Sequence, residues 1–214
     1  MSIRKEEVLE WLKALQEVYA ENKPLLTDLD AAIGDADHGI NMDRGFKAVK
    51  MELSANLPGD LQSILQGAAA VLIRTVGGAA GPLYGTFFLR AGASVAGKTE
   101  LDAAGMVAMF QAGMDGVQQR GKAIAGDKTM VDALLSAVAA MQAGLDAGYG
   151  LKRILEEGSA AAETGMRATI PMQARKGRAS YLGARSIGHQ DPGATSSYFL
   201  LRTAAEVWGN RDNS

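Results

Sequence analysis

The 214-residue chain has no cysteine, which excludes disulfides, thiolate metal sites and a cysteine nucleophile. It has two histidines, His38 and His189, and a lone histidine serves more often as a hydrogen-bonding neighbour than as a catalyst. Aromatic residues make up 6% of the chain, and no β-branched alternation is long enough to predict a strand. Neither sign of charge dominates: the net charge of -2 disfavours nucleic acid as a partner. The longest uncharged stretch, Thr75 to Leu89, is too short and too glycine-rich to cross a membrane. The first residues, Met-Ser-Ile-Arg-Lys-Glu-Glu, lack the apolar core of a signal peptide. A single domain over 1–214 in the cytoplasm is the simplest expectation.

What remains is helix. Val8, Leu12, Leu15 and Val18 recur at helical spacing, which predicts a first helix over 3–21. A second, over 24–33, opens on Pro24, whose fixed φ suits a helix start. A third follows with Met42, Phe46, Val49 and Leu53 on one face and stops before Pro58-Gly59, and a fourth spans about 61–76. Pro82 is expected to start a fifth, through about Val95, and Thr99 to Asp102 reads as a capping box that opens a sixth to about Gln119. Helices over about 129–147 and 151–169 come next, and a last one opens at Asp191-Pro192, an N-cap followed by proline. Eight or nine helices with short links imply an all-α antiparallel bundle.

Chemistry concentrates where the helical pattern breaks. Asp30, Asp35 and Asp37 crowd the run Asp-Leu-Asp-Ala-Ala-Ile-Gly-Asp-Ala-Asp-His-Gly at 28–39. The C-terminal end of a helix already carries negative partial charge, so three added carboxylates call for a cation. Clustered carboxylates without cysteine suit a hard divalent ion that shares its ligands with phosphate oxygens. The competing reading is a solvated loop that caps the third helix. An EF-hand beginning at Asp35 is excluded, since its sixth and twelfth positions hold Ile40 and Phe46.

Gly77-Gly78-Ala79-Ala80-Gly81-Pro82 has the make-up of an anion cradle, in which backbone N–H groups and a helix N-terminus approach phosphate. A tight helix connection would look the same. Between Thr164 and Gln190 stand five basic residues, Arg167, Arg175, Lys176, Arg178 and Arg185, and no acidic one. Gly177, Gly183 and Gly188 prevent a regular helix throughout, so this segment is either a solvated loop or an ordered lid over a polyphosphate. Gly121 to Thr129 resembles a P-loop with one residue too many, Asp127, before Lys128-Thr129. A P-loop follows a strand and this segment follows a helix, so Gly121 and Lys128 are kept only as candidate loop contacts.

Gly-Asp-Ala-Asp-His-Gly, Gly-Gly-Ala-Ala-Gly-Pro-Leu-Tyr-Gly-Thr, Gly-Asp-Lys-Thr-Met and Gly-His-Gln-Asp-Pro-Gly-Ala follow one another along the chain. In this order they resemble the nucleotide-binding subunits of dihydroxyacetone kinase, the DhaL family, from the first helix to the last. The resemblance implies a barrel of eight antiparallel amphipathic helices with ADP or ATP at one end. It implies that Asp30, Asp35 and Asp37 bind two Mg2+ ions. It further implies that His38, Gly39, Ile40, Asn41, Ala79, Ala80, Gly121, Met130, Arg178, Asp191, Pro192 and Gly193 bind the nucleotide. Relatives often carry serine where this chain has Ala80, which removes a hydroxyl and keeps the backbone N–H, so a weaker hold on phosphate is expected.

The family likeness implies a phosphotransferase subunit whose Mg-bound nucleotide passes its terminal phosphoryl group to dihydroxyacetone on a DhaK-type partner. A DhaM-type phosphocarrier then recharges ADP from phosphoenolpyruvate. Two rivals remain at this point. One is an ATP-dependent two-subunit kinase for a related ketose; the other is a non-enzymatic nucleotide sensor that binds a transcription regulator.

Overall fold

The computed structural model describes residues 2–55 and 59–209. Its helices are α1 (Lys5–Glu21), α2 (Lys23–Ile33), α3 (His38–Ala55), α4 (Leu61–Thr75), α5 (Ala80–Ser94), α6 (Ala103–Gly121), α7 (Met130–Asp146), α8 (Leu151–Ala168) and α9 (Pro192–Gly209), with a 3-10 segment over Arg178–Ser186. The expected stop of α3 at Pro58 lies outside the described residues.

Eight helices close into a ring. Starting from α1, the neighbours run α3, α4, α5, α6, α7, α8 and α9, and α9 returns to α1. The short α2 lies beside α3 and α9. Neighbours run antiparallel, as α7 and α8 illustrate. A Cβ on Gly158 would sit 2.4 Å from Met141, and one on Gly165 would sit 2.4 Å from the Asp132 carbonyl, so the numbers rise on one helix as they fall on the other. Glycine at 165 lets the two backbones approach, and glycine at 158 makes room for the Met141 side chain.

The scarce aromatics are concentrated inside this ring. Trp11 of α1 packs on Trp208 of α9 at 4.9 Å, on Phe88 at 5.7 Å and on Phe110 at 5.9 Å. Buried indoles and phenols need hydrogen-bond partners, and here those partners close the ring. The Trp11 indole donates to the Leu200 carbonyl, the Trp208 indole to the Glu7 carbonyl and the Tyr19 hydroxyl to the Ser196 carbonyl, all between α1 and α9. Replacing Trp11 with alanine would cost about 3–5 kcal/mol.

The fold agrees with the all-α expectation, and the differences fall at helix ends. α5 begins at Ala80, two residues before Pro82, because Gly78, at φ 62°, completes the turn earlier. The capping group of α6 is Asp102, which accepts from the Gly105 N–H at 2.7 Å. The residues ahead of it are drawn away: β2 (Glu100–Leu101) pairs antiparallel with β1 (Ile3–Arg4), so α1 begins at Lys5. A two-residue ladder is too short to leave an alternating pattern. Among the described residues no helix is long and apolar enough to cross a membrane.

Candidate metal and nucleotide site

The three aspartates converge because the chain folds back at the end of α2. Gly34, at φ -140° and ψ -135°, ends the helix while its N–H still bonds the Asp30 carbonyl. Ala36 then takes a left-handed φ of 62°. This reversal lays the next backbone over the Asp30 side chain, whose Oδ2 accepts the N–H groups of Asp37 at 2.8 Å and His38 at 3.1 Å. Asp30 is thereby buried and caps the start of α3. One carboxylate oxygen from each of Asp30, Asp35 and Asp37 lies within 4.8 Å of the others. A Cβ on Gly34 would come 2.0 Å from Asp30 Oδ1, so only glycine leaves that oxygen free.

This cluster forms one end of a cleft of about 750 Å3, large enough for a nucleotide-sized ligand. Across from it, Gly77 and Gly78 lead into α5. Ala79 stands at the N-cap of α5 and has no polar side chain, so no side-chain cap occupies the first N–H groups of the helix. Such a terminus suits an anion. Farther along, Leu83, Val117, Ala123 and Met130 give the cleft an apolar wall.

The floor is polar and buried. Asp191 Oδ2 accepts the Ala194 N–H at 2.7 Å and so caps α9. Burial pushes its carboxyl up to about 7, with Asp132 and Asp30 adding to the rise and the Ala194 N–H and Lys128 opposing it. His38 Nε2 shares a hydrogen bond of 2.8 Å with Ser196 Oγ, which lies 2.7 Å from the Tyr84 hydroxyl. Burial lowers the imidazole from its ordinary value, against the pull of Asp30 and Asp37. His38 thus takes part in a hydrogen-bond chain through Ser196 to Tyr84.

The basic segment covers the cleft. Its 3-10 turns break at Gly183, at φ 56°. Arg175, Lys176, Arg178, Ser180 and Tyr181 line the opening, and Arg178 lies 3.0 Å from the Asp35 carboxylate. Arg167 instead pairs with Glu163 at 2.7 Å on α8, and Arg185 does not line the cleft.

Asp30, Asp35, Asp37, His38, Ala79, Ala80, Gly121, Met130, Arg178, Asp191, Pro192 and Gly193 all line this cleft. Gly39, Ile40 and Asn41 do not. Gly39 is wedged against α2, where a Cβ would meet the Lys23 carbonyl at 2.2 Å. Ile40 points outward, 44% exposed. Asn41 is buried and its Oδ1 accepts the Gly77 N–H at 3.4 Å, which ties the start of α3 to the glycine turn. Lys128 also lines the cleft, while its ammonium donates to backbone carbonyls. The apolar wall was missed because Leu83 and Val117 follow the same helical periodicity as core residues; Tyr181, 89% exposed, carried a signal only as an aromatic among basic residues.

The pattern known as the DAK2 domain matches residues 32–206. The chain belongs to the DAK2 domain family. Among DAK2 proteins it is 44% identical over 205 residues to the ADP-binding subunit DhaL of the PEP-dependent dihydroxyacetone kinase of Escherichia coli (strain K12), covering 96% of this chain and 98% of the relative. It is 42% identical to the corresponding subunit of PEP-dependent dihydroxyacetone kinase 1 of Listeria innocua, covering 97% and 98%. The dihydroxyacetone kinase of C. freundii in complex with AMP-PNP and Mg2+ shares the fold at a TM-score of 0.73 and 22% identity. That match covers 96% of this chain and 34% of the longer kinase, so the DAK2 domain here spans about a third of that protein.

Proposed function

We propose that the chain is the ADP-binding, DhaL-type subunit of a PEP-dependent dihydroxyacetone kinase, a phosphotransferase. The observation that carries this reading is the convergence of Asp30, Asp35 and Asp37 within 4.8 Å at one end of a cleft whose other features suit an anion and a flat apolar group. The relatives from E. coli and L. innocua, matched over almost their whole length, are named as ADP-binding subunits of PEP-dependent kinases.

The side chains fit magnesium and a nucleoside diphosphate. Oxygen ligands alone, with no sulfur or imidazole in the cluster, suit Mg2+ over zinc or copper. Asp30, Asp35 and Asp37 would hold two ions, which when bound neutralise phosphate charge and fix its orientation. The N–H groups at Ala79 and Ala80 suit the phosphates. Ala79 and Ala80, with Gly121, Met130, Arg178, Asp191, Pro192 and Gly193, make up the nucleotide site. His38 orients its end of the cleft through Ser196. Gly39, Ile40 and Asn41 are assigned to the same site through their backbone, at the first turn of α3.

Phosphoryl transfer asks mainly for charge neutralisation, positioning and a dry site. Arg178 and its basic neighbours supply positive charge at the mouth and screen the site from water. The triose acceptor is assigned to a DhaK-type partner and the recharging of ADP to a DhaM-type phosphocarrier, both meeting this protein in the cytoplasm.

Reconstitution tests this assignment. With a DhaK-type subunit, dihydroxyacetone and ATP alone, product should stop near one equivalent per nucleotide site, and a phosphocarrier relay fed by phosphoenolpyruvate should restore turnover. Sustained turnover on ATP alone would instead establish the ATP-dependent reading.

A further inference from the structure

Lys128, in the P-loop-like stretch, lines the cleft yet is buried and strained in a way that the nucleotide site does not account for. It is a lysine 1% exposed with a left-handed φ of 61°, a backbone state that costs a non-glycine residue about 1–2 kcal/mol. Such strain persists only where the surroundings over-determine it. They do so here. Its ammonium donates to the Thr169 carbonyl at 2.8 Å, to the Met172 carbonyl at 3.1 Å and to the His189 carbonyl. An ammonium has three N–H donors, and all three are spent, so none is left for a phosphate.

The three acceptors are informative in their positions. Thr169 and Met172 lie where the chain leaves α8, and His189 lies where it returns to α9. The basic segment runs between them. Neighbouring bonds gather the same two stems: the Gly188 N–H donates to the Ile170 carbonyl at 2.8 Å, and the Asp191 N–H to Thr169 Oγ1 at 3.0 Å. The residue before Lys128 holds the segment as well, since the Asp127 carbonyl accepts the Arg175 N–H at 3.1 Å. Two residues after it stands Met130, on the apolar wall.

We propose that Lys128 is a positioning residue whose ammonium clasps both stems of the basic segment, holding Arg175, Lys176 and Arg178 over the cleft and setting how slowly a nucleoside diphosphate leaves. The clasp joins the wall at Met130 to the lid at Arg178 through one side chain. The release-rate part rests on the nucleotide-binding reading above; the clasp itself does not.

Lys128→Met keeps the stem and removes the ammonium. In the nucleotide-free protein, trypsin should cut K128M at Arg175, Lys176 and Arg178 much faster than it cuts the parent, while the cooperative melting of the barrel remains. Release of a fluorescent ADP analogue in excess Mg2+ should be about ten-fold faster or more. The Mg2+ concentration that half-saturates the nucleotide-free protein should hold or fall, because a freed Arg178 competes less for Asp35, whereas a general loosening of the fold would raise it. Folded K128M with parental cleavage or parental release would overturn the proposal. If K128M does not fold, amide exchange in the parent decides. The N–H groups of Arg175, Gly188 and Asp191 should exchange far more slowly than those of 179–183, and equal rates would overturn the clasp. A parent that fails to bind Mg-ADP while those stems stay protected would overturn the nucleotide reading and with it the release-rate part, and would support the clasp.

Discussion

Arg178 reaches back from the basic segment to lie 3.0 Å from Asp35, so the lid and the aspartate cluster contact each other directly. Asp35 cannot serve this guanidinium and a metal ion with the same oxygen at once. Because Arg178 is 66% exposed in its side chain, the pair contributes little to stability, about 0–1 kcal/mol.

Opposite effects on metal and nucleotide therefore follow from Arg178→Ala. With the competing cation gone, Mg2+ alone should bind more tightly. Mg-ADP should bind more weakly, since a phosphate-facing charge is lost. Titration calorimetry of both ligands checks this, and a parallel change in the two would contradict it. Melting should move by less than about 2 °C.

Asp35 and Asp30 should separate metal binding from folding. Asp35→Asn removes a proposed ligand at an exposed position, so Mg2+ affinity should fall while the melting temperature holds. Asp30→Ala should damage both. It strands the N–H groups of Asp37 and His38, at a cost of about 1–3 kcal/mol, which denaturant unfolding will show.

Gly34→Ala should act as a metal-site variant although residue 34 binds no metal. The added methyl would sit 2.0 Å from Asp30 Oδ1, and either the carboxylate or the turn must move. We expect Mg2+ affinity to drop about ten-fold or more with barrel melting still cooperative, measured by metal titration and circular dichroism.

Asp191 should make stability depend on pH. Burial raises its carboxyl in the folded protein to about 7, from an ordinary 3.8. Between those values the unfolded chain releases a proton that the folded chain keeps, so this group's contribution falls as pH rises from about 4 and levels off above about 7. Asp191→Asn retains an oxygen to accept the Ala194 N–H and cannot ionise. Urea unfolding at pH 5 and pH 8 should show the variant gaining on the parent at the higher pH by a few kcal/mol; a gain independent of pH would contradict the buried-carboxyl account.

The helices and the metal candidates were readable from local signals. Val8, Leu12 and Leu15 face the core at the spacing that predicted α1, and Asp191-Pro192 opens α9 as its residue types require. Asp30, Asp35 and Asp37 were adjacent in sequence, so their convergence needed only a turn. What local signals could not carry was pairing across distance. The short ladder at Ile3 and Leu101 and the clasp from Lys128 to Thr169 and His189 both join residues far apart in the chain. The apolar wall was hidden for another reason: Leu83 and Val117 look like any other core position until the cleft beside them is seen. Gly39 and Asn41 show a third limit, since helical spacing gives no sign that one packs against α2 and the other ties down the glycine turn.

The most direct test of the central claim is native mass spectrometry of the purified protein supplied with ADP and Mg2+. The account predicts a single added mass equal to one ADP and two Mg2+ ions, reduced in Asp35→Asn and retained in Lys128→Met only transiently. Bare protein in excess Mg2+ and ADP, or ADP bound equally well without any divalent ion, would contradict it.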